Sequence, residues 1–168
     1  LNGDFPLLNL VASQVYNSLN ENSKAIEFCK KALIQNREFR IPENSKNSID
    51  ILLPEEKILR HGLYLAVSAG NQYMFNYFLL ELSRLNHSNK LEIELIEKMY
   101  NEVELHETEL SHLANIVDID SLDLYLKLIS KIENIQSKLN ALFFLNDKFE
   151  SHSKYLTLLG LSLYDNNY

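Results

Sequence analysis

The sequence predicts an all-α fold, with antiparallel helix pairs stacked as an irregular α-solenoid, and three observations carry that expectation. Apolar residues recur at i, i+3, i+4 spacing along most of the chain, the mark of a buried helical stripe. Short polar breaks interrupt the stripes where two helices would fold back on each other. With 46% hydrophobic residues in a length of 168, there is enough apolar material for one domain (1–168) with a substantial core.

The elements follow in chain order. The first pair is expected over about residues 5–38: Pro6 suits a first helical turn, a break falls near Asn20 to Ser23, and a second helix carries Ile26, Cys29 and Leu33. The polar run "REFRIPENSKNSIDILLPEEK" reads as an insertion over about 39–53, holding Pro42 and ending where Pro54, Glu55 and Glu56 start a helix with negative charge near its N-terminus. The second pair, about 54–86, contains "LYLAVSAGNQYMFNYFLL". Leu63, Ala66 and Val67 share one face, Gly70 and Asn71 supply the turn, and Met74, Phe75, Phe78, Leu79 and Leu82 form the returning stripe. An extra helix is expected over about 88–105, amphipathic through Leu91, Leu95, Met99 and Val103. A third pair, about 107–133, sets Leu113 and Ala114 against Leu122, Tyr125, Leu126 and Ile129, with Asp120 placed to cap its second helix. The fourth, about 138–165, sets Leu142, Phe143 and Leu145 against Tyr155, Leu156, Leu158 and Leu159 across Glu150 to Ser153.

The order Leu63, Leu65, Ala66, Val67, Gly70, Asn71, Met74, Phe75, Phe78, Leu79 resembles an ankyrin repeat without a gap. The resemblance implies that small Ala66 lets the first helix approach its neighbour and that Gly70 makes the interhelical turn. His61 and Gly62 stand where that family has Thr-Pro, and no Gly-Ala-Asp hairpin follows Leu80. The anchors Ala12, Ala66, Ala114 and Leu145 are spaced unevenly against the roughly 33-residue ankyrin period. Any ankyrin-like array here is therefore degenerate, with insertions between units. Tyr16, Ala25 and Ala32, with "KAIEFCKKAL", also resemble one tetratricopeptide unit, and an unnamed helical bundle is the further alternative.

Bulk composition narrows the function classes. Sixteen Lys and Arg against 23 Asp and Glu give a formal charge of −7, which argues against a phosphate-binding surface and so against nucleic acid. The apolar run at 63–80 is interrupted by Ser68, Gly70, Asn71, Gln72 and Asn76 and closed by Glu81, short of the unbroken stretch of about 20 residues that a membrane span needs. A lone cysteine, Cys29, cannot form an internal disulfide, reads as a small buried hydrophobe, and fits a reducing intracellular setting. Leu1 is not a start methionine, so the chain is read as a fragment of a longer protein.

The chemistry-bearing residues form no catalytic constellation, and neither cofactor nor metal is expected. "HETELSH" places His106 and His112 six apart, about 240° around a helix, whereas a zinc helix needs two histidines four apart. The carboxylate pairs Glu55/Glu56, Glu102/Glu104 and Asp118/Asp120 read as solvated faces or caps, and the last lacks the glycine and distal glutamate of a calcium loop.

What remains is surface. Tyrosine combines apolar area with a polar tip, and Tyr73, Tyr77, Tyr100 and Tyr168 are the candidate partner contacts. The expected function is protein–protein interaction, with no enzyme activity in this fragment. Abundant Asn, Ile, Lys and Tyr, together with divergent ankyrin-like units, resembles the interaction domains of secreted effectors of intracellular bacterial pathogens. That resemblance implies a host-protein partner and a cytoplasmic location inside the host cell. Two alternatives stay open. One is a ligand site or unrecognised enzyme site between the 88–105 helix and the helix pairs, gathering His106, Glu107 or His112; the other is a lipid-headgroup surface on the basic run Lys24, Lys30, Lys31, Arg37 and Arg40.

Overall fold

The computed structural model describes residues 5–38, 53–85 and 90–166, and every regular element among them is a helix. These are α1 (Pro6–Ser18), α2 (Asn22–Glu38), α3 (Glu55–Ser68), α4 (Gln72–Leu85), α5 (Lys90–Tyr100), α6 (Glu107–Ile116), α7 (Leu122–Lys131), α8 (Ile135–Phe149) and α9 (Ser153–Asn166). The expected all-α class is observed. The connection expected over 39–53 lies outside the described residues except at Leu53, as do Arg40 and Tyr168. Contacts within the chain group it into two compact units, Leu1–Leu85 and Asn86–Tyr168.

In the first unit each helix packs on its neighbour in sequence, α1 on α2, α2 on α3 and α3 on α4. Two turns of one design make this possible. At the end of α1, Asn20 takes a left-handed φ of 59°, while the Glu21 N–H donates to Tyr16 O at 2.9 Å and the Asn20 N–H to Asn17 O at 3.0 Å. At the end of α3, Gly70 has φ 61°, the Asn71 N–H donates to Ala66 O at 2.9 Å and the Gly70 N–H to Val67 O at 3.2 Å. Both are Schellman closures, which satisfy the last helical carbonyls and reverse the chain. They stand 50 positions apart, at Asn20 and Gly70. Asn71 then caps α4, its side-chain oxygen accepting from the Met74 N–H at 3.1 Å.

The stripes expected on α3 and α4 are buried without exception, from Leu63, Ala66 and Val67 to Met74, Phe75, Phe78, Leu79 and Leu82. The tightest approach of these helices is at Gly62, where a Cβ would stand 2.5 Å from the Phe78 ring. Two polar side chains tie the unit together. The Asn36 side chain donates to Leu53 O at 3.0 Å and accepts from the Leu53 N–H at 3.1 Å, holding the two ends of the interhelical connection together. Arg37 bridges the buried Glu55 of α3 at 2.5 Å and Glu81 of α4 at 2.7 Å. Burial works against the guanidinium charge, but the hydrogen bonds to both carboxylates outweigh it and raise its pKa.

The second unit is arranged around α7. Leu122, Leu124, Tyr125, Leu126, Leu128 and Ile129 are all buried, six residues of ten, so apolar surface faces several directions and α7 takes α5, α8 and α9 as neighbours. Helix α6 buries only Leu110 and Leu113, and it packs on α8 and α5. The pair expected over about 107–133 therefore does not form: α6 is too thinly apolar to cover α7. The α8–α9 pair does form, with the Tyr155 hydroxyl donating to Leu142 O at 2.9 Å. Phe143 and Leu156, expected in the core, are about half exposed instead, as is Val103, which lies beyond the end of α5. At the α6–α7 turn, the Ser121 N–H and hydroxyl both donate to Asp118 Oδ1, at 2.8 and 2.7 Å.

Candidate functional site

The inward face of α4 is spent on the core, and its outward face is exposed. That face carries Tyr73, Tyr77 and Leu80 at i, i+4, i+7 spacing, with Tyr73 76% and Leu80 53% exposed. No charged residue occurs between His61 and Leu80. Tyr77 is half-buried and held in place: Lys30 Nζ lies 5.1 Å from its ring centroid, and the Phe78 ring meets it edge-on at 5.2 Å. Burial, and then the nearby Glu81 carboxylate, raise the Tyr77 pKa, so its hydroxyl remains a hydrogen-bond donor at neutral pH. Tyr73 and Tyr77 are thus brought together. Tyr100 is not on such a surface: it is 8% exposed at the end of α5, with Lys131 Nζ 4.7 Å from its ring centroid and its pKa raised by burial.

The second unit holds a cleft of about 370 Å³, lined by Glu102, Glu104, Leu105, Leu110, Glu133 and Asn140 among others. It lies next to the expected position, beside the end of α5, but His106, Glu107 and His112 do not line it. The His106 N–H donates to Glu109 Oε2 at 2.9 Å, and Glu109 also pairs with Lys98. Those two hydrogen bonds, the lysine's first, hold the Glu109 carboxyl below its usual range. Among the described residues no group of three His, Cys, Asp or Glu could hold a metal ion.

One contact escaped sequence reading. Ser13 Oγ, fully buried, lies 3.2 Å from His61 Nε2 and donates to Ala25 O at 2.7 Å. Because the hydroxyl proton is committed to a backbone carbonyl, the pair joins α1, α2 and α3 and does not present an activated nucleophile. No spacing signal could have found it, since Ser13 and His61 are 48 positions apart. Cys29 is likewise inert: burial pushes its thiol up to about 12, which leaves essentially no thiolate at neutral pH.

Three of the four described members of the basic run are paired with carboxylates. Lys24 pairs with Glu21 at 2.5 Å, Lys31 with Glu27 at 2.7 Å and Arg37 with Glu55 and Glu81, while Lys30 lies over Tyr77. Charge divides unevenly between the units: nine Lys and Arg against nine Asp and Glu up to Leu85, seven against fourteen from Asn86 onward. Among the described residues no helix is long and apolar enough to cross a membrane. No family model, curated protein or solved structure matches the chain.

Proposed function

We propose that this chain is a protein–protein interaction module built from degenerate ankyrin-like helix pairs. The observation that carries the reading is the outer face of α4 from Tyr73 to Leu80, a stretch without a charged residue, where Tyr73 and Leu80 stand exposed on either side of an anchored Tyr77. Such a row offers apolar area at low entropic cost, as interface hot spots do. The ankyrin-like reading draws on the matched turns at Asn20 and Gly70. Their 50-position offset exceeds the roughly 33-residue ankyrin period by about 17, close to the length of the polar connection between them. The module serves as the partner-binding part of a secreted bacterial effector, with a host protein as partner inside the host cell and no catalysis of its own.

The test is capture from host-cell lysate with the wild-type chain and with Tyr73→Asp, whose exposed position leaves the fold unchanged. Specific capture lost in the variant supports the reading. Equal capture by both removes α4 as the contact face, and absence of any specific capture removes the module. A second reading, a small-ligand site, draws on the cleft lined by Glu102, Glu104 and Glu133, whose chemistry suits a cation. Titration with arginine methyl ester, followed by amide chemical shifts, checks it; no movement at these residues rejects it.

A further inference from the structure

We infer that the cleft of the second unit docks a basic, extended segment of a partner protein, with one arginine side chain held among Glu102, Glu104 and Glu133. The inference rests on the reading of this chain as an interaction module, and it adds the chemistry of a partner at a site other than α4.

The cleft combines two kinds of surface. Leu105, Leu110 and Ile132 line it with apolar area, while the three glutamates, all exposed, line it with charge. A side chain that suits both has an apolar stem and a cationic head, which is the build of arginine. Neither an anion nor a purely apolar group meets both requirements. At about 370 Å³ the cleft stands at the small end of ligand sites, with room for one long side chain and the backbone beside it.

The charge is not compensated from within. Between Lys90 and Glu109 the chain carries seven Glu against Lys90 and Lys98. The nearby cations are committed elsewhere: Lys98 pairs with Glu109, and Lys131 Nζ lies 4.7 Å from the Tyr100 ring centroid. Lys138 follows Ser137 but does not line the cleft. Among the described residues Glu102, Glu104 and Glu133 form no ion pair, and Glu104 accepts only a 3.3 Å bond from the Ser137 hydroxyl. The first turn of α8 also borders the cleft, but Asn134 already caps it, its side-chain oxygen accepting from the Ser137 N–H at 2.9 Å. Three carboxylates therefore set the sign of the site.

The backbone around the cleft favours a peptide over a free cation. Residues 103–106 and 132–134, which supply much of the lining, are non-helical, and His106, Ile132 and Asn134 are extended. Among the described residues the N–H groups of Glu104, Leu105 and Glu133 donate to no acceptor. An extended peptide can pair with such groups along its main chain while its arginine enters the cleft. A single amino acid has too little main chain for that.

Fluorescence anisotropy of the 168-residue chain with a labelled peptide of about six residues, arginine at alternate positions, tests this in about 150 mM salt, where diffuse attraction is screened. Saturable binding is expected below about 1 mM, and the same peptide with citrulline, of arginine's shape but without its charge, binds at least about tenfold more weakly. Glu104→Gln and Glu133→Gln in one chain give a loss of the same size, while Glu107→Gln, at an exposed carboxylate outside the cleft, leaves binding within about twofold. Should the double variant fail to fold by circular dichroism, the citrulline comparison decides, since it leaves the protein unaltered. No saturation by about 1 mM, equal binding of the citrulline peptide, a folded double variant that binds like the wild type, or an equal loss on Glu107→Gln overturns the inference. Arginine methyl ester that shifts the cleft amides while the peptide fails to bind keeps the small-ligand reading and overturns this one. Lysate capture lost in Tyr73→Asp, with no peptide binding, leaves the module standing and overturns only the basic segment.

Discussion

Helices α3 and α4 in the first unit and α6 and α7 in the second are each a sequential pair joined by a few polar residues, yet only α3 and α4 pack on each other. Between α3 and α4 the chain reverses through Gly70 in a left-handed closure, and both helices bring long apolar stripes to the junction. Between α6 and α7 the closure is missing: α6 ends at Val117 in an extended conformation, and Asp118 and Ser121 hold the turn through side-chain bonds. A polar break locates the end of a helix. Whether the next helix returns along the first depends on the turn's backbone and on how much apolar surface each helix has left to cover.

The strongest blow to this comparison comes from the central ring of each unit. Tyr125 and Phe78 are both 0% exposed, and Phe78→Ala should cost about 3–5 kcal/mol in urea melts. Tyr125→Ala should cost about 1 kcal/mol more, because it also removes the hydroxyl that donates to the buried Glu92 at 3.1 Å. Equal losses would show that the central position of α7 adds nothing beyond ring burial. Next in size is Gly62→Ala, which drives a methyl into the Phe78 ring and should destabilise by about 1–3 kcal/mol. Combining it with Phe78→Leu should cost less than the two single losses together, and simple additivity would mean that the helices yield there easily.

Alkali should weaken the first unit through Cys29. Its folded pKa, about 12, lies above the ordinary 9.0, so the buried thiol's contribution is intact below pH 9 and is lost as pH rises toward 12. Between pH 9 and 10 that amounts to about 1 kcal/mol. Cys29→Ala should flatten this part of the stability profile, and an unaltered slope would assign it to other groups. The smallest effects sharpen the comparison of turns. Glu102 repeats the left-handed closure with φ 58°, but without glycine's freedom. Glu102→Gly should therefore stabilise by about 0.5–1 kcal/mol, whereas Gly70→Ala should cost about 1 kcal/mol. Matching signs in thermal melts would contradict the shared geometry.

Much of this architecture was legible in the sequence. The stripes of α3, α4 and α7 and the turn at Gly70 are periodic or local signals, and they fall where expected. The packing of α6 on α8 was not legible, because neither helix carries a local mark of its partner. Gly62 was passed over for Ala66, since both are small and only the position of the Phe78 ring tells which one is pressed. Of the candidate contacts, Tyr73 and Tyr77 share an outward helix face, whereas the burial of Tyr100 depends on tertiary neighbours that no window of sequence contains.

The clasp between Asn36 and Leu53 has a consequence for how such a chain can change. With both ends pinned by one side chain, the span between them can lengthen or shorten without moving the helices on either side. Closure entropy between two pinned ends grows only logarithmically with the number of residues, by about 0.6 kcal/mol per doubling. Spacing between the two hairpins is therefore nearly neutral to drift, and a reporter or affinity tag grafted between Glu38 and Leu53 should leave α2 and α3 in register.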